Sequence, residues 1–228
     1  NAIPGNGLLM IPEASAGCVC QFSITSTVVM EPRADRNSWR IYSATGLKTP
    51  VKTMALNIGA PGDRRDDRGT LWLGWPRPKT VGRLEYVFDI QPKYLGSPTT
   101  FSYNSESVTV QNEDTSWIGS SGIRGLSGFT VPLLGDDDEA ASYDVVLHLV
   151  VLDESQQTSE PLDIKLQGET VQADVDVLKM AGGPRKAVKL EFRVQVKDNL
   201  LVELVPSAEN ADLEQLPLVT AIEIRRQP

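Results

Sequence analysis

Apolar and polar residues alternate along this chain at a period of two, and almost nowhere at helical spacing. Tyr143, Val145, Leu147, Leu149 and Val151 share one side of an extended segment, and Val146, His148 and Val150 share the other. That pattern predicts a strand covered on both faces. Leu162 to Leu166 predicts a second strand, closed by Gln167-Gly168. Leu190, Phe192, Val194 and Val196 alternate with Glu191, Arg193, Gln195 and Lys197, as a half-buried strand requires. Asp198-Asn199 then reads as a two-residue turn of primed type, with the chain returning through Leu200 to Val205. Val219 to Ile224 predicts the last strand. In the first half, Gly7 to Met10, Phe22 to Met30, Thr53 to Ile58 and Ser107 to Gln111 read as strands. The apolar run Leu71 to Trp75 follows a charged loop, Ala60 to Gly69, and precedes Leu84 to Ile90. Glu31 to Asn37 is polar, contains Pro32 and reads as a linker. For a helix, Ala173 to Ala181 is the nearest candidate, and Asp174 and Asp176 break its apolar stripe. Glycine and proline, 18 and 15 of them, punctuate the chain at short spacing. The expectation is an all-β chain in which sheet packs on sheet, a two-sheet antiparallel β-sandwich.

Composition narrows the partners. The 228 residues carry a formal net charge of −8, a field that repels phosphate and makes nucleic acids and anionic membranes poor partners. No apolar run approaches the ~18 residues of a membrane-spanning helix. The chain contains one histidine and two cysteines, so metal, haem and Ser-His-Asp chemistry would all draw on a very small stock. Cys18 and Cys20 would point to the same face of a strand, where a disulfide between them would be strained. Without a second cysteine pair or a nearby histidine they do not assemble a zinc site. Either both are free, or one has paired with a cysteine upstream.

Residues 143 to 224 carry a resemblance. Tyr143-Asp144-Val145-Val146-Leu147-His148-Leu149 resembles the Tyr-x-Val-x-Leu-His-Phe strand of the malectin family of carbohydrate-binding β-sandwiches. Pro161 to Gly168 resembles its Phe-Asp-Val-x-Leu-Gln-Gly strand. Val175-Asp176-Val177 with Ala181-Gly182-Gly183-Pro184 resembles its Asp-Ile and Ala-Gly-Gly segment. Phe192 to Val205 is similar to the family's hairpin, and Pro217 to Ile224 to its closing strand. Further upstream, Leu56-Asn57-Ile58-Gly59 resembles the opening Ile-Asn-x-Gly strand, and Asp66 to Trp75 the loop after it. Two departures stand out. The acid that follows the family's His-Phe-Ala is replaced, as His148-Leu149-Val150-Val151 shows, and the loop around Trp117 lacks the family's paired Tyr and Phe. Ile3 to Leu8 and Pro12 to Cys20 resemble the end of quinoprotein-like β-propeller domains in large secreted bacterial proteins. The resemblance implies a jelly-roll, galactose-binding-like sandwich over 48–228, and over 1–47 the remnant of a preceding propeller plus a linker.

Four groups of residues are candidates for chemistry. Sugar binding needs a flat aromatic face with polar anchors beside it. Trp72 and Trp75 follow a loop holding Asp66 and Arg68, and Trp117 sits in the polar stretch that contains Asp114. If the two loops meet, they form a cleft; the competing reading packs Trp72 into the core and leaves the charges as surface ion pairs. Asp136-Asp137-Asp138-Glu139 offers oxygens of the kind calcium takes, but with no ligand ladder after it the run reads as a solvated turn. His148, flanked by leucines and without a placed nucleophile, reads as a buried, hydrogen-bonded part of the fold. Asp174 and Asp176 share a strand face, unlike the opposed carboxylates of a glycosidase, and Asp176 is expected to bond nearby backbone amides.

The resemblances imply a non-catalytic module that binds carbohydrate, with neither cofactor nor metal, from a secreted, periplasmic or cell-surface bacterial protein, and the loop tryptophans add to that reading. The alternative is a structural or protein-interaction domain that packs on an adjacent β-propeller. Exposure of the tryptophans discriminates the two.

Overall fold

The structure, a computed structural model, describes residues 2–12, 27–32, 40, 49–77, 80–81, 84–85, 89–105, 107–115 and 117–228, with 80–81 and 84–85 as backbone alone. It divides into two units, Asn1–Ser38 and Trp39–Pro228, where the sequence reading places the boundary at 47/48. In the first unit, β1 (Ile3–Gly5), β2 (Leu8–Ile11) and β3 (Val28–Met30) pair antiparallel in that order. The turn between β1 and β2 is Asn6-Gly7, both at positive φ, as a primed hairpin turn requires. Cys18, Cys20, most of the expected strand Phe22 to Met30 and most of the propeller-like segment lie outside the described residues.

The second unit opens with β4 (Thr53–Ile58), β5 (Arg64–Arg65), β6 (Leu71–Trp75) and the short pair β7 (Thr80–Val81) and β8 (Leu84–Glu85). It continues through β9 (Gln91–Ser102), β10 (Ser121–Pro132), β11 (Ala141–Val150), β12 (Leu162–Leu166) and β13 (Glu169–Val175). A single helical turn and a half, α1 (Val177–Ala181), precedes β14 (Val188–Val196), β15 (Asn199–Pro206) and β16 (Leu218–Arg226). A five-stranded sheet, β13-β12-β15-β10-β9, faces a six-stranded one, β14-β11-β16-β4-β6-β5. All pairs in the two sheets are antiparallel except β4 with β6.

The period-two rule explains the core. Tyr143, Val145, Leu147 and Leu149 of β11 point inward beside Ile222 and Ile224 of β16 and Met54, Leu56 and Ile58 of β4. From the facing sheet come Phe129 and Val131, Leu162, Ile164 and Leu166, and Leu200, Val202 and Leu204. Each such side chain contributes about 1.5–3 kcal/mol by leaving water. The all-β, two-sheet sandwich is therefore what the alternation predicts.

Two local expectations are corrected. Asp198-Asn199 does not close a hairpin: β14 pairs with β11, and β15 pairs with β10 and β12, so the turn carries the chain from one sheet to the other. Leu133 and Leu134 both donate backbone N–H bonds to the Asp198 carbonyl, 3.0 and 2.9 Å, and hold that crossing in place. Residues 107 to 111 form no strand; Gln111 alone makes a bridge, to Lys186, and the segment is laid over the outside of the six-stranded sheet. The longest strands, β9 and β10, have no clean alternation in the sequence. Gly125, at φ +81°, lies where a Cβ would meet the Leu95 carbonyl oxygen at 2.7 Å, and register shifts flank Leu126. Such bulges break the period that makes a strand legible. Of the expected stretch Leu84 to Ile90, Leu84–Glu85 is strand and 86–88 lie outside the described residues.

Candidate functional site

The outer face of the six-stranded sheet carries the polar half of the same alternation. Register across β14, β11, β16 and β4 sets out three rows. The first runs Arg193, Asp144, Arg225, Thr53. The second runs Glu191, Val146, Glu223, Ala55, and continues to Trp72 on β6. The third runs Lys189, His148, Ala221, Asn57. The segment between β9 and β10 crosses this face over the third row. It is stitched down by Gln111 N–H to the Arg185 carbonyl (2.8 Å) and Ala187 N–H to the Gln111 carbonyl (2.9 Å). Beneath it, Val110 packs on Val150, Leu152, Ala187 and Leu218, while Trp117 and Ile118 pack on Ala55, Trp72 and Ala221. Alanine at 55 and 221 leaves the depth two indoles need. The strand β11 is thus covered on both faces only over its C-terminal half.

The loop between β5 and β6 approaches from the other side, and Asp66 organises it. One carboxylate oxygen accepts from the backbone N–H of Arg68 (3.0 Å) and Thr70 (2.8 Å), and the other from the indole N–H of Trp72 (3.1 Å). Gly69 closes the turn at φ +85°, a conformation L side chains rarely adopt. Burial of Asp66 opposes its ionisation, but the Trp72, Thr70 and Arg68 donors outweigh it and hold the carboxyl below the usual aspartate range.

The two loops meet. Arg68 donates to Asp114 at 2.5 Å, and the Arg64 guanidinium lies 5.0 Å from the Trp117 ring centroid. Beside this junction an open cleft of about 850 Å³ spreads over the first two rows, bounded by Arg68, Asp114, Lys189, Glu223, Arg225 and Arg193. Val146 and part of Phe192 supply its apolar floor.

The tryptophans occupy other places. Trp72, Trp75 and Trp117 are 1%, 4% and 4% exposed, so the expectation that they offer open stacking faces is corrected. Trp75 belongs to the inter-sheet core. Trp72 and Trp117 meet edge to face at 6.3 Å and support the cleft from behind. Of the six residues singled out in the sequence, Arg68 and Asp114 line the cleft, Asp66 shapes it, and the three indoles pack beneath or away from it.

Under the wall lies an ionic network. His148 and Glu113 have fully buried side chains, with Nδ1 2.9 Å from Glu113 Oε1; Nε2 is 3.2 Å from Glu223 Oε1. Lys189 Nζ reaches Glu113 at 3.3 Å and Asp114 at 3.1 Å. Burial would lower the His148 pKa, but its bonds to Glu113 and Glu223 prevail and raise it above the ordinary histidine value. The same contact with His148 lowers Glu223 against the effect of burial. Hydrogen bonds from Lys189 and Arg68 lower Asp114. His148 is buried and hydrogen-bonded, as its leucine flanks suggested. Its partners were invisible in the sequence, because Glu113 and Glu223 stand 35 and 75 residues away. For Glu191 and Arg193 the signal was present: they are the polar positions of an alternating strand.

The remaining candidates have structural roles. Asp176 caps α1, accepting from the backbone N–H of Lys179 (3.0 Å) and from Ser159 Oγ (2.8 Å). The Asp138 carboxylate accepts from the Gly135 N–H at 2.8 Å within the acidic turn. Among the described residues, no group of three or more His, Cys, Asp or Glu side chains is arranged to hold a metal ion. No helix among them is long and apolar enough to cross a membrane.

No family model matches the chain, and no curated protein matches it in sequence. Solved structures share its shape. A beta-glucuronidase of Bacteroides uniformis aligns at TM-score 0.56 and 14% identity, over 97% of this chain and 22% of its own. The extracellular domain of ANXUR2 from Arabidopsis thaliana aligns at TM-score 0.55 and 15% identity, over 76% of this chain and 48% of its own. The ANX2 ectodomain from the same plant gives TM-score 0.53 and 17% identity, over 76% and 49%. The chain therefore spans less than half the length of each of these structures. At such identity the likeness shows the fold, a two-sheet β-sandwich.

Proposed function

We propose that the chain is a non-catalytic carbohydrate-binding module and that the charged cleft on the outer face of the six-stranded sheet is its binding site. The observation that carries this reading is the cleft itself: a sheet face open to solvent, bordered by two loops locked together at Arg68 and Asp114. It presents what sugar hydroxyls need, guanidinium donors at Arg68, Arg193 and Arg225 and carboxylate acceptors at Asp114, Asp144 and Glu223, beside a small apolar floor. The resemblance of residues 143 to 224 to malectin sandwiches supports it. So does likeness of fold to an extracellular domain and to part of a glycosidase. A secreted, periplasmic or cell-surface bacterial setting, beside a β-propeller, belongs to the proposal and rests on the resemblance of Ile3 to Leu8 and Pro12 to Cys20 to the end of quinoprotein-like propeller domains.

A second reading, a structural or protein-interaction domain, is favoured by one observation: Trp72, Trp75 and Trp117 are all buried. A glycan array on the 228-residue chain, with Arg225→Ala beside it, separates the two. Binding to a defined glycan that Arg225→Ala loses supports the module. A folded chain that binds none of the glycans favours the interaction domain.

A further inference from the structure

His148 has a feature that packing alone does not require: each of its two ring nitrogens faces a carboxylate. Nδ1 lies 2.9 and 3.0 Å from the two oxygens of Glu113, and Nε2 lies 3.2 Å from Glu223 Oε1. A neutral imidazole carries one N–H, and an ionised carboxylate only accepts. With both carboxylates ionised, both contacts are hydrogen bonds at once only when the ring carries a proton on each nitrogen. We propose that His148 is the positioning residue of the cleft, acting as an imidazolium whose two N–H groups hold Glu113 beneath the loop wall and Glu223 in the cleft floor.

Charge balance points the same way. Among the described residues, the contiguous ion pairs join His148, Lys189 and Arg68 with Glu113, Glu223 and Asp114. Three positive groups meet three negative ones when His148 is charged, and the network is one negative charge in excess when it is not. Among the described residues, Glu113 from the covering segment and Glu223 from β16 meet the ring nitrogens, Lys189 from β14 acts on the ring by charge, and Asp114 and Arg68, from the covering segment and the β5–β6 loop, extend the network beyond them. From β6, Trp72 meets the ring edge to face at 5.7 Å and presents no charge. Loss of the proton leaves a nitrogen lone pair against a carboxylate oxygen. Glu223, whose side chain is 34% exposed, is the partner with room to turn away, and it lines the cleft. Glu113 has no such room, so its chain neighbour Asp114 and the Arg68 pair are strained with it. The cleft holds the shape described here while His148 is charged and relaxes as the pH rises through its titration. The consequence for glycan affinity rests on the module reading above.

Because the chain has a single histidine, imidazole NMR reads this proton without assignment ambiguity. A pH titration of the whole labelled chain is expected to show both ring nitrogens predominantly protonated at about pH 6.5. The midpoint should lie above the ordinary value of about 6.5, and the backbone resonances of Glu113, Asp114 and Glu223 should move with it. A ring already neutral at about pH 6.5 would overturn the proposal, as would a charged ring whose titration leaves those resonances still. Glu223→Gln, at a partly open position, should lower the His148 midpoint while the fold persists; an unmoved midpoint would also sink the idea. The glycan array repeated at about pH 6 and about pH 9 should then show affinity falling tenfold or more at the higher pH, and equal binding at both would remove the positioning role. An array with no binding at either pH defeats the module reading, and the NMR titration still decides the state of His148 and its hold on the cleft.

Discussion

Removal of the Asp66 carboxylate is expected to weaken the fold far more than its place in a charged surface loop suggests. Asp66 is 8% exposed and satisfies three donors: two backbone N–H groups, of Arg68 and Thr70, and the indole N–H of Trp72. Trp72 is 1% exposed, so in Asp66→Ala its N–H has no water to turn to, a penalty of about 1–3 kcal/mol. The two backbone groups are nearer solvent and rebond in part, at about 0.5–1 kcal/mol each. The sum is about 2–5 kcal/mol. Asp66→Asn discriminates the terms. Its carbonyl oxygen still serves the backbone pair, while its NH₂ faces the indole N–H, so only the first penalty of about 1–3 kcal/mol applies. Urea unfolding followed by tryptophan fluorescence and by circular dichroism measures both variants, with unchanged slope as the check that the unfolded states match. A loss within about 0.5 kcal/mol for Asp66→Ala would refute the reasoning and mean that water, not the carboxylate, serves these donors.

Further expectations concern backbone space, a buried hydroxyl and pH. In Gly74→Ala the new Cβ would stand 2.5 Å from the Gly62 carbonyl oxygen, backbone against backbone; a loss of about 3 kcal/mol or more follows, read as a fall in Tm. Tyr143→Phe deletes the hydroxyl that donates to the Val51 carbonyl at 2.9 Å in a fully buried position, costing about 1–2 kcal/mol in urea. Asp66, Asp114 and Glu223 titrate below their ordinary values in the folded chain. Their stabilisation is complete above about pH 4–4.5 and is lost as the pH falls through the depressed values. His148 titrates above its ordinary value, so its contribution is complete below about pH 6.5 and is lost as the pH rises through the raised value. Urea midpoints plotted against pH should therefore form a plateau between these limits and decline on both sides; a curve still rising above pH 8 would contradict the second half.

Alternation along the chain by itself determined that the protein is all-β. It placed β4, β11, β12, β15 and β16, and it separated Val145 and Leu147, which face the core, from Val146 and His148, which face out. Gln167-Gly168 marked the end of β12, and the structure makes it the hairpin turn into β13, with both residues at positive φ. Period two is a local property, set by the pleat of one strand, and one strand is enough to display it. Asp198-Asn199 shows the limit: the same turn residues serve a hairpin or a crossing between sheets, and only the partners of β14 and β15 decide which. β9 and β10 were hidden because bulges and glycines, needed to fit one backbone against another, erase the period. For the cleft, Asp66, Arg68 and Asp114 were legible as charges in neighbouring loops, but whether an indole faces water or a second indole depends on what lies across from it. Trp72 and Trp117 are covered because the segment after β9 folds back over Ala55 and Ala221. The pairing of His148 with Glu113 and Glu223 likewise exists only once strands and loop far apart in the chain are brought together, and that is the work of the tertiary structure.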